Sequence, residues 1–156
     1  MIINLKEFEV IIDAEDYEKI NKYHWHIQTS RPGYRVVVSS FWDKERKIVR
    51  HISLHRFIMN FPDSLIDHKD GNTFNNSKSN LRLCDSKGNT RNAKLKSTNT
   101  SGFKGVHLHR KTGKWRARIC VNYRAISLGL YYTPEEAHQA YFEAAKKYYG
   151  EFARSE

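Results

Sequence analysis

Aromatic and β-branched residues gather in short runs over the first sixty positions. Phe8–Ile12, Tyr34–Trp42 and Lys47–Ile58 read as strands of a half-buried sheet. Asp13–Tyr23 holds one short helix, and turns fall at Arg31–Gly33 and Trp42–Lys44. From Asn60 the pattern changes to Asn, Asp, Ser and Gly, the composition of a long loop. Two apolar runs, Leu65–Asp67 and Leu81–Leu83, interrupt it, and Asp85 or Ser86 is placed to cap a helix reaching about Lys96. The predicted order is strand, loop, strand, helix.

A polar stretch, Lys96–Gly102, leads to a third pattern. Phe103–Arg110, Trp115–Arg124 and Ala125–Tyr131 make three antiparallel strands, with a turn at Lys111–Lys114. Thr133-Pro134-Glu135-Glu136 then gives an N-cap, a proline at the first helical position and a glutamate three residues past the cap. Ala137, Ala140, Tyr141, Ala144 and Tyr148 recur at helical spacing up to Gly150. The expected protein is α+β: residues 1–96 are strand-rich with a functional core at about 51–96, and residues 97–156 form a three-stranded sheet backed by one helix.

Charge narrows the partner. The 156 residues carry 27 Lys+Arg against 17 Asp+Glu, a net charge of +10. Between Ser86 and Pro134 stand 11 Lys/Arg and no acid. So long a stretch free of acids suits a phosphate-facing surface better than a solvated face of mixed sign. Cys84 and Cys120 are too few for a disulfide framework or an all-cysteine zinc site. Acids interrupt the first twenty residues, where a signal peptide needs an apolar core, and no apolar run reaches the length of a membrane span. The expectation is a soluble protein of the cytoplasm with no membrane partner and no small-molecule cofactor.

The chemistry-bearing residues lie in the loop segment. Asp67-His68 is followed by Asn80 and Asn89. Phosphodiester hydrolysis needs an activated water and a cation to stabilise charge on the phosphate. His68 suits a general base because imidazole titrates near neutrality. The Asp67 carboxylate and the Asn89 amide oxygen are hard ligands matched to Mg²⁺ or Mn²⁺, and the Asn80 side chain is suited to hold the imidazole by a hydrogen bond. Against this, an Asp-His pair in an Asn-rich loop is also ordinary turn chemistry. The pairs His24/His26 and His107/His109 put two imidazoles on one strand face, but no third strong zinc ligand lies near either.

The residues LHRFIM at 54–59, DHKDGNTFNNSKSNLRLC at 67–84 and Asn89 to Asn92 resemble the HNH endonuclease family in its phage and intron form. The resemblance spans about forty residues and implies a ββα-metal fold. It assigns His68 as general base, Asn80 as the residue orienting it, and Asp67 and Asn89 as ligands of a single divalent ion, an H-N-N variant. Asn75 and Ser77 stand where related sequences carry Asp and Arg. His55 is expected to pack beneath the site and orient a neighbour.

From Ser101 the chain resembles the AP2/ERF DNA-binding domain, carried by FKGV at 103–106, GKWRARI at 113–119, SLGLY at 127–131 and TPEEAHQAY at 133–141. The resemblance implies a sheet laid in the major groove. Alternation puts Trp115, Ala117, Ile119 and Val121 on one face of the second strand and Arg116, Arg118 and Cys120 on the other. Lys104, His107, His109, Arg110, Lys114 and Arg124 complete the candidate DNA-binding set, with Lys114 and Arg124 near turns. Cys120, Ala125 and Ser127 depart from the plant-type pattern.

The combined expectation is a metal-dependent endonuclease acting on double-stranded DNA, a free-standing homing-type enzyme that nicks as a monomer. A DNA-binding regulator derived from a nuclease is the rival. An RNA-binding protein is disfavoured because the basic face lacks stacking aromatics.

Overall fold

The computed structural model describes residues 1–31, 33–92, 95 and 98–153. The protein is α+β, with small antiparallel sheets and few helices, and divides into two compact units, 1–85 and 86–156.

In the first unit β1 (Ile2–Leu5) and β2 (Phe8–Ile11) form a hairpin, a single 3-10 turn at Ala14–Asp16 leads to α1 (Tyr17–Ile20), and β3 (Trp25–Arg31), β4 (Tyr34–Asp43) and β5 (Ile48–Ser53) make a three-stranded meander. The run expected as one strand over 47–58 breaks at Ser53. Leu54, Phe57 and Ile58 are spaced for one helical face, all three are buried, and they form α2 (Leu54–Ile58). They pack with Val10, Ile12, Ile20, Val37 and Leu81 as the core. Each such side chain stabilises the fold by roughly 1.5–3 kcal/mol on burial.

β6 (Leu65–His68) and β7 (Leu81–Cys84) form the antiparallel pair expected from the two short apolar runs, with Asp67 opposite Arg82 and His68 opposite Leu81. The loop joining them is stitched down rather than free. Ile11 N–H donates to the Phe74 carbonyl and Asn76 N–H to the Ile11 carbonyl, at 2.9 and 2.8 Å. Lys78 pairs with Glu15 and Asp16. The polar composition satisfies backbone groups that a buried loop would otherwise leave unpaired.

In the second unit α3 (Ser86–Arg91) precedes β8 (Val106–His109), β9 (Lys114–Val121) and β10 (Arg124–Tyr131), ordered β10-β9-β8, and then α4 (Pro134–Tyr149). Asn122 and Tyr123, both at positive φ, make the tight turn between β9 and β10. The capping box is present: Thr133 Oγ accepts from Glu136 N–H, and the Glu136 carboxylate accepts from Thr133 N–H. Ala137, Tyr141 and Ala145 form the buried face of α4, while Tyr148 is exposed. At Gly105, φ +71, a Cβ would stand 2.1 Å from the Tyr141 ring, so the sheet meets the helix there only through glycine. α3 belongs to this unit by its packing. Arg91 lies over the Tyr149 ring at 4.7 Å, Lys104 Nζ donates to the Arg91 carbonyl at 2.7 Å, and the Phe152 ring covers Gly88. The composition places the division at 96/97, whereas packing places it at 85/86. The two strands expected for a ββα element, β6 and β7, lie in the first unit and α3 in the second. The far end of the helix expected to reach Lys96 lies outside the described residues. No described helix is long and apolar enough to cross a membrane.

Candidate functional site

Strand β6 ends on Asp67 and His68, the candidate pair read from the sequence, and alternation sends their side chains to opposite faces of the ladder. Both are buried. Across the ladder Arg82 meets Asp67: its Nε and Nη2 donate to Asp67 Oδ2 at 3.0 and 2.8 Å, and both side chains are 8% exposed. This pairing fixes the carboxylate's direction.

His68 is held from two sides. Its Nε2 lies 3.4 Å from Asn76 Oδ1, and the His55 ring stands edge-on to it with centroids 5.3 Å apart. An amide oxygen facing Nε2 suits the tautomer that carries its proton on that nitrogen. Burial pulls the His68 pKa below its ordinary value, against the Asn76 bond and the Asp70 and Asp67 charges, which pull it up. A neutral imidazole at neutral pH is the form a general base requires. His55 is pushed down to about 4 by burial first, then by His68 and Arg56, and its Nε2 shares a hydrogen bond with Ser53 Oγ at 3.3 Å. The expected place for His55, against the site and touching its neighbour, is the observed one.

Asn80 serves a different partner from the one expected. Its Nδ2 donates to Asp70 Oδ1 at 3.0 Å and to the Asn75 carbonyl at 2.8 Å, and its Oδ1 accepts from Asp70 N–H at 3.1 Å. The amide closes the loop on Asp70, and the bond to the His68 ring comes from Asn76. The reason is packing: Asn76 is 1% exposed, anchored through its backbone to β2 and through Nδ2 to the Thr73 carbonyl, which aims its oxygen inward. Burial pushes the Asp70 carboxyl up, but the Asn72 N–H and the Asn75 and Asn80 amides outweigh it and leave the pKa lowered. Sequence reasoning missed Asn76, Arg82 and Asp70. Arg82 was findable as the base opposite Asp67 once the strands were paired. Asn76 was hidden among the neighbouring asparagines.

Asn89 sits on α3 in the second unit. Among the described residues no three His, Cys, Asp or Glu side chains gather as a metal cage. By their chemistry alone, the Asp67 carboxylate and the Asn89 amide are hard oxygen donors, which suit Mg²⁺ or Mn²⁺ better than zinc.

The second unit presents the cationic face. Across β8 and β9, His107 pairs with Arg116 and His109 with Lys114, so these four share one side of the sheet with Arg118. Ala117 and Ile119 point to α4 on the other side. The His107 pKa is lowered by burial, then by Arg118, Arg116 and His109, the electrostatic mark of cations crowded on one face. Arg110 is exposed at the turn after β8. Lys114 Nζ lies 4.1 Å over the Tyr132 ring. Two residues of the expected set lie elsewhere. Arg124 is opposite Val121, which places it on the α4 side by register, and Lys104 is bonded to the end of α3.

Comparisons with known proteins bear on both units. The AP2 domain model matches residues 101–151. The chain is 28% identical over 149 residues to an uncharacterized HNH endonuclease of Acanthamoeba polyphaga mimivirus, covering 91% of this chain and 71% of that protein. It is also 43% identical over 54 residues to Protein 3.8 of Escherichia phage T7, covering 35% of this chain and 45% of that one. Over most of its length the chain is thus similar to an HNH endonuclease, and its residues 101–151 match an AP2 domain.

Proposed function

We propose that the protein is a divalent-metal-dependent endonuclease that hydrolyses phosphodiester bonds of double-stranded DNA, a homing-type enzyme that nicks. The observation that carries this reading is the buried His68, kept neutral by its burial and held by Asn76 and His55, one position along β6 from an Asp67 held by Arg82. His68 takes a proton from the attacking water at Nδ1 while its Nε2–H stays on Asn76. Asp67 and Asn89 are the residues assigned to hold Mg²⁺ or Mn²⁺, which when bound would stabilise charge on the phosphate and the leaving oxygen. Arg116, Arg118, Lys114, His107 and His109 bind the duplex, with the lysine nearer phosphate and the arginines nearer bases.

The test is cleavage of supercoiled plasmid with Mg²⁺ or with EDTA. The wild-type protein is expected to cleave only with the metal. His68→Ala should lose cleavage while binding duplex within about twofold of wild type, and substantial residual cleavage by that variant would reject the base assignment. A DNA-binding regulator descended from a nuclease is the second reading. It is favoured by one observation, the hold of Arg82 on an Asp67 oxygen that a metal would use. Binding without cleavage under any divalent ion would establish it.

A further inference from the structure

The β4–β5 hairpin leaves the core before it turns. From Ser40 to Trp42 and from Ile48 to His51 every residue is exposed, so the ribbon is open to solvent on both faces. Four cross-strand pairs build it, from Ser40–His51 to Asp43–Ile48, a length of about 10–14 Å. The exposed side chains are nevertheless large and apolar: Phe41 43%, Trp42 56%, Ile48 49% and Val49 54% exposed. Trp42 and Val49 are directly opposed and share one face with the Ser40–His51 pair, which is closed by a 2.8 Å hydrogen bond. Two apolar faces left in water with no core role are the mark of a surface with a partner.

The ribbon's tip says what the partner is. Lys44, Arg46, Lys47 and Arg50 crowd the turn and its flank. Of the two acids there, Asp43 is consumed internally: Oδ1 accepts the Glu45 and Arg46 N–H groups, and Oδ2 pairs with Arg50 at 3.5 Å. These bonds shape the turn beforehand and leave its outward charge cationic but for Glu45. A second copy of this chain would bring like-charged tips together. A two-stranded ribbon fits the B-DNA major groove, which is about 12 Å wide, and apolar side chains there meet thymine methyl groups while flanking cations meet phosphate.

We propose that the β4–β5 ribbon is a second DNA-contacting element, entering a groove of the duplex with the Trp42–Val49 face on the bases and Lys44, Arg46 and Lys47 on phosphates. The proposal rests on the reading of the protein as one that acts on duplex DNA, and it adds a contact surface to the sheet face of the AP2 domain.

The experiment uses the full chain and a random-sequence duplex, followed by binding across a salt series and by tryptophan emission. Replacing Lys44, Arg46 and Lys47 together by Gln should reduce the log–log salt slope by about 0.9 per cation, roughly 2.7 in all. Trp42→Ala should weaken binding by roughly tenfold and remove part of the emission change on binding, and Trp42→Phe should restore most of the affinity. All three changes are in exposed residues, so circular dichroism should match wild type. Duplex binding and salt slopes equal to wild type in every variant would overturn the proposal. So would unchanged duplex binding with Trp42→Ala altering either self-association in sedimentation or retention on phosphatidylserine vesicles. Failure of the nuclease reading would show instead as wild-type protein that binds duplex but never cuts plasmid.

Discussion

Replacing Arg82 by Leu would remove the cation that faces the buried Asp67 carboxylate across the ladder. Removing one partner of a buried ion pair costs about 3–5 kcal/mol, so chemical denaturation should show Arg82→Leu destabilised by that order. A cost under about 1 kcal/mol would mean that water reaches the pair. His55 gives a pH test. In the unfolded chain it binds a proton below about 6.5, and in the folded chain only below about 4. Between these values the unfolded state holds the extra proton, so stability is full above pH 6.5 and is lost as pH falls towards 4. The loss is about 3 kcal/mol at ~1.4 kcal/mol per pKa unit. His55→Gln should flatten the stability–pH curve in that window without levelling it, because the His68 pKa is lowered as well. A curve as steep as wild type would rule out the neutral buried His55. At this scale the sequence marked the proposed base and metal ligand, His68 and Asp67, because few residue types can do such chemistry. It did not disclose the supports, because Asn76, Asn80 and Asp70 differ in which bond each makes rather than in what they are.

Elements were legible where a local rule and the packing agreed. The capping box of α4 and the alternation of β9 both follow from sequence spacing and appear as read. α2 was misread because valine and isoleucine before Ser53 extend a strand-like composition across a boundary that is set by burial of Leu54, Phe57 and Ile58. The side of the sheet taken by Arg124 depends on register through a two-residue turn, which spacing alone does not fix. The β9 face supports a prediction: Arg116→Gln with Arg118→Gln should weaken duplex binding and change sequence preference, whereas Lys114→Gln should weaken all sequences nearly alike. Selection from a random duplex library measures both. Unaltered preference in the double variant would reduce this face to phosphate contact.

At the scale of the molecule, a net charge of +10 and two cationic surfaces favour extended contact with one asymmetric target. The one Asp67-His68 site proposed for hydrolysis would attack one phosphodiester at a time, and cutting both strands would need a second site through a symmetric dimer. Under limiting enzyme, supercoiled plasmid should become open circle well before linear product appears. Linear product formed directly, at a rate rising with the square of protein concentration, would indicate a dimer. Composition suggested a division between functions at the polar stretch after Lys96, yet the helix before that stretch packs with residues of the AP2 side, because Gly88 and Arg91 are matched to Phe152 and Tyr149.

That match has a consequence for how such proteins are recombined. A module exchanged at the polar stretch would leave behind a short helix whose aromatic seat had departed, and would hand its new host a bare Tyr149 and Phe152. An exchange after Asp85 carries helix and seat together, and Asn89 travels with them. The portable cassette in this chain is therefore longer than its DNA-binding domain, and a chimera that respects the cassette inherits one of the proposed metal ligands from the donor of its DNA specificity.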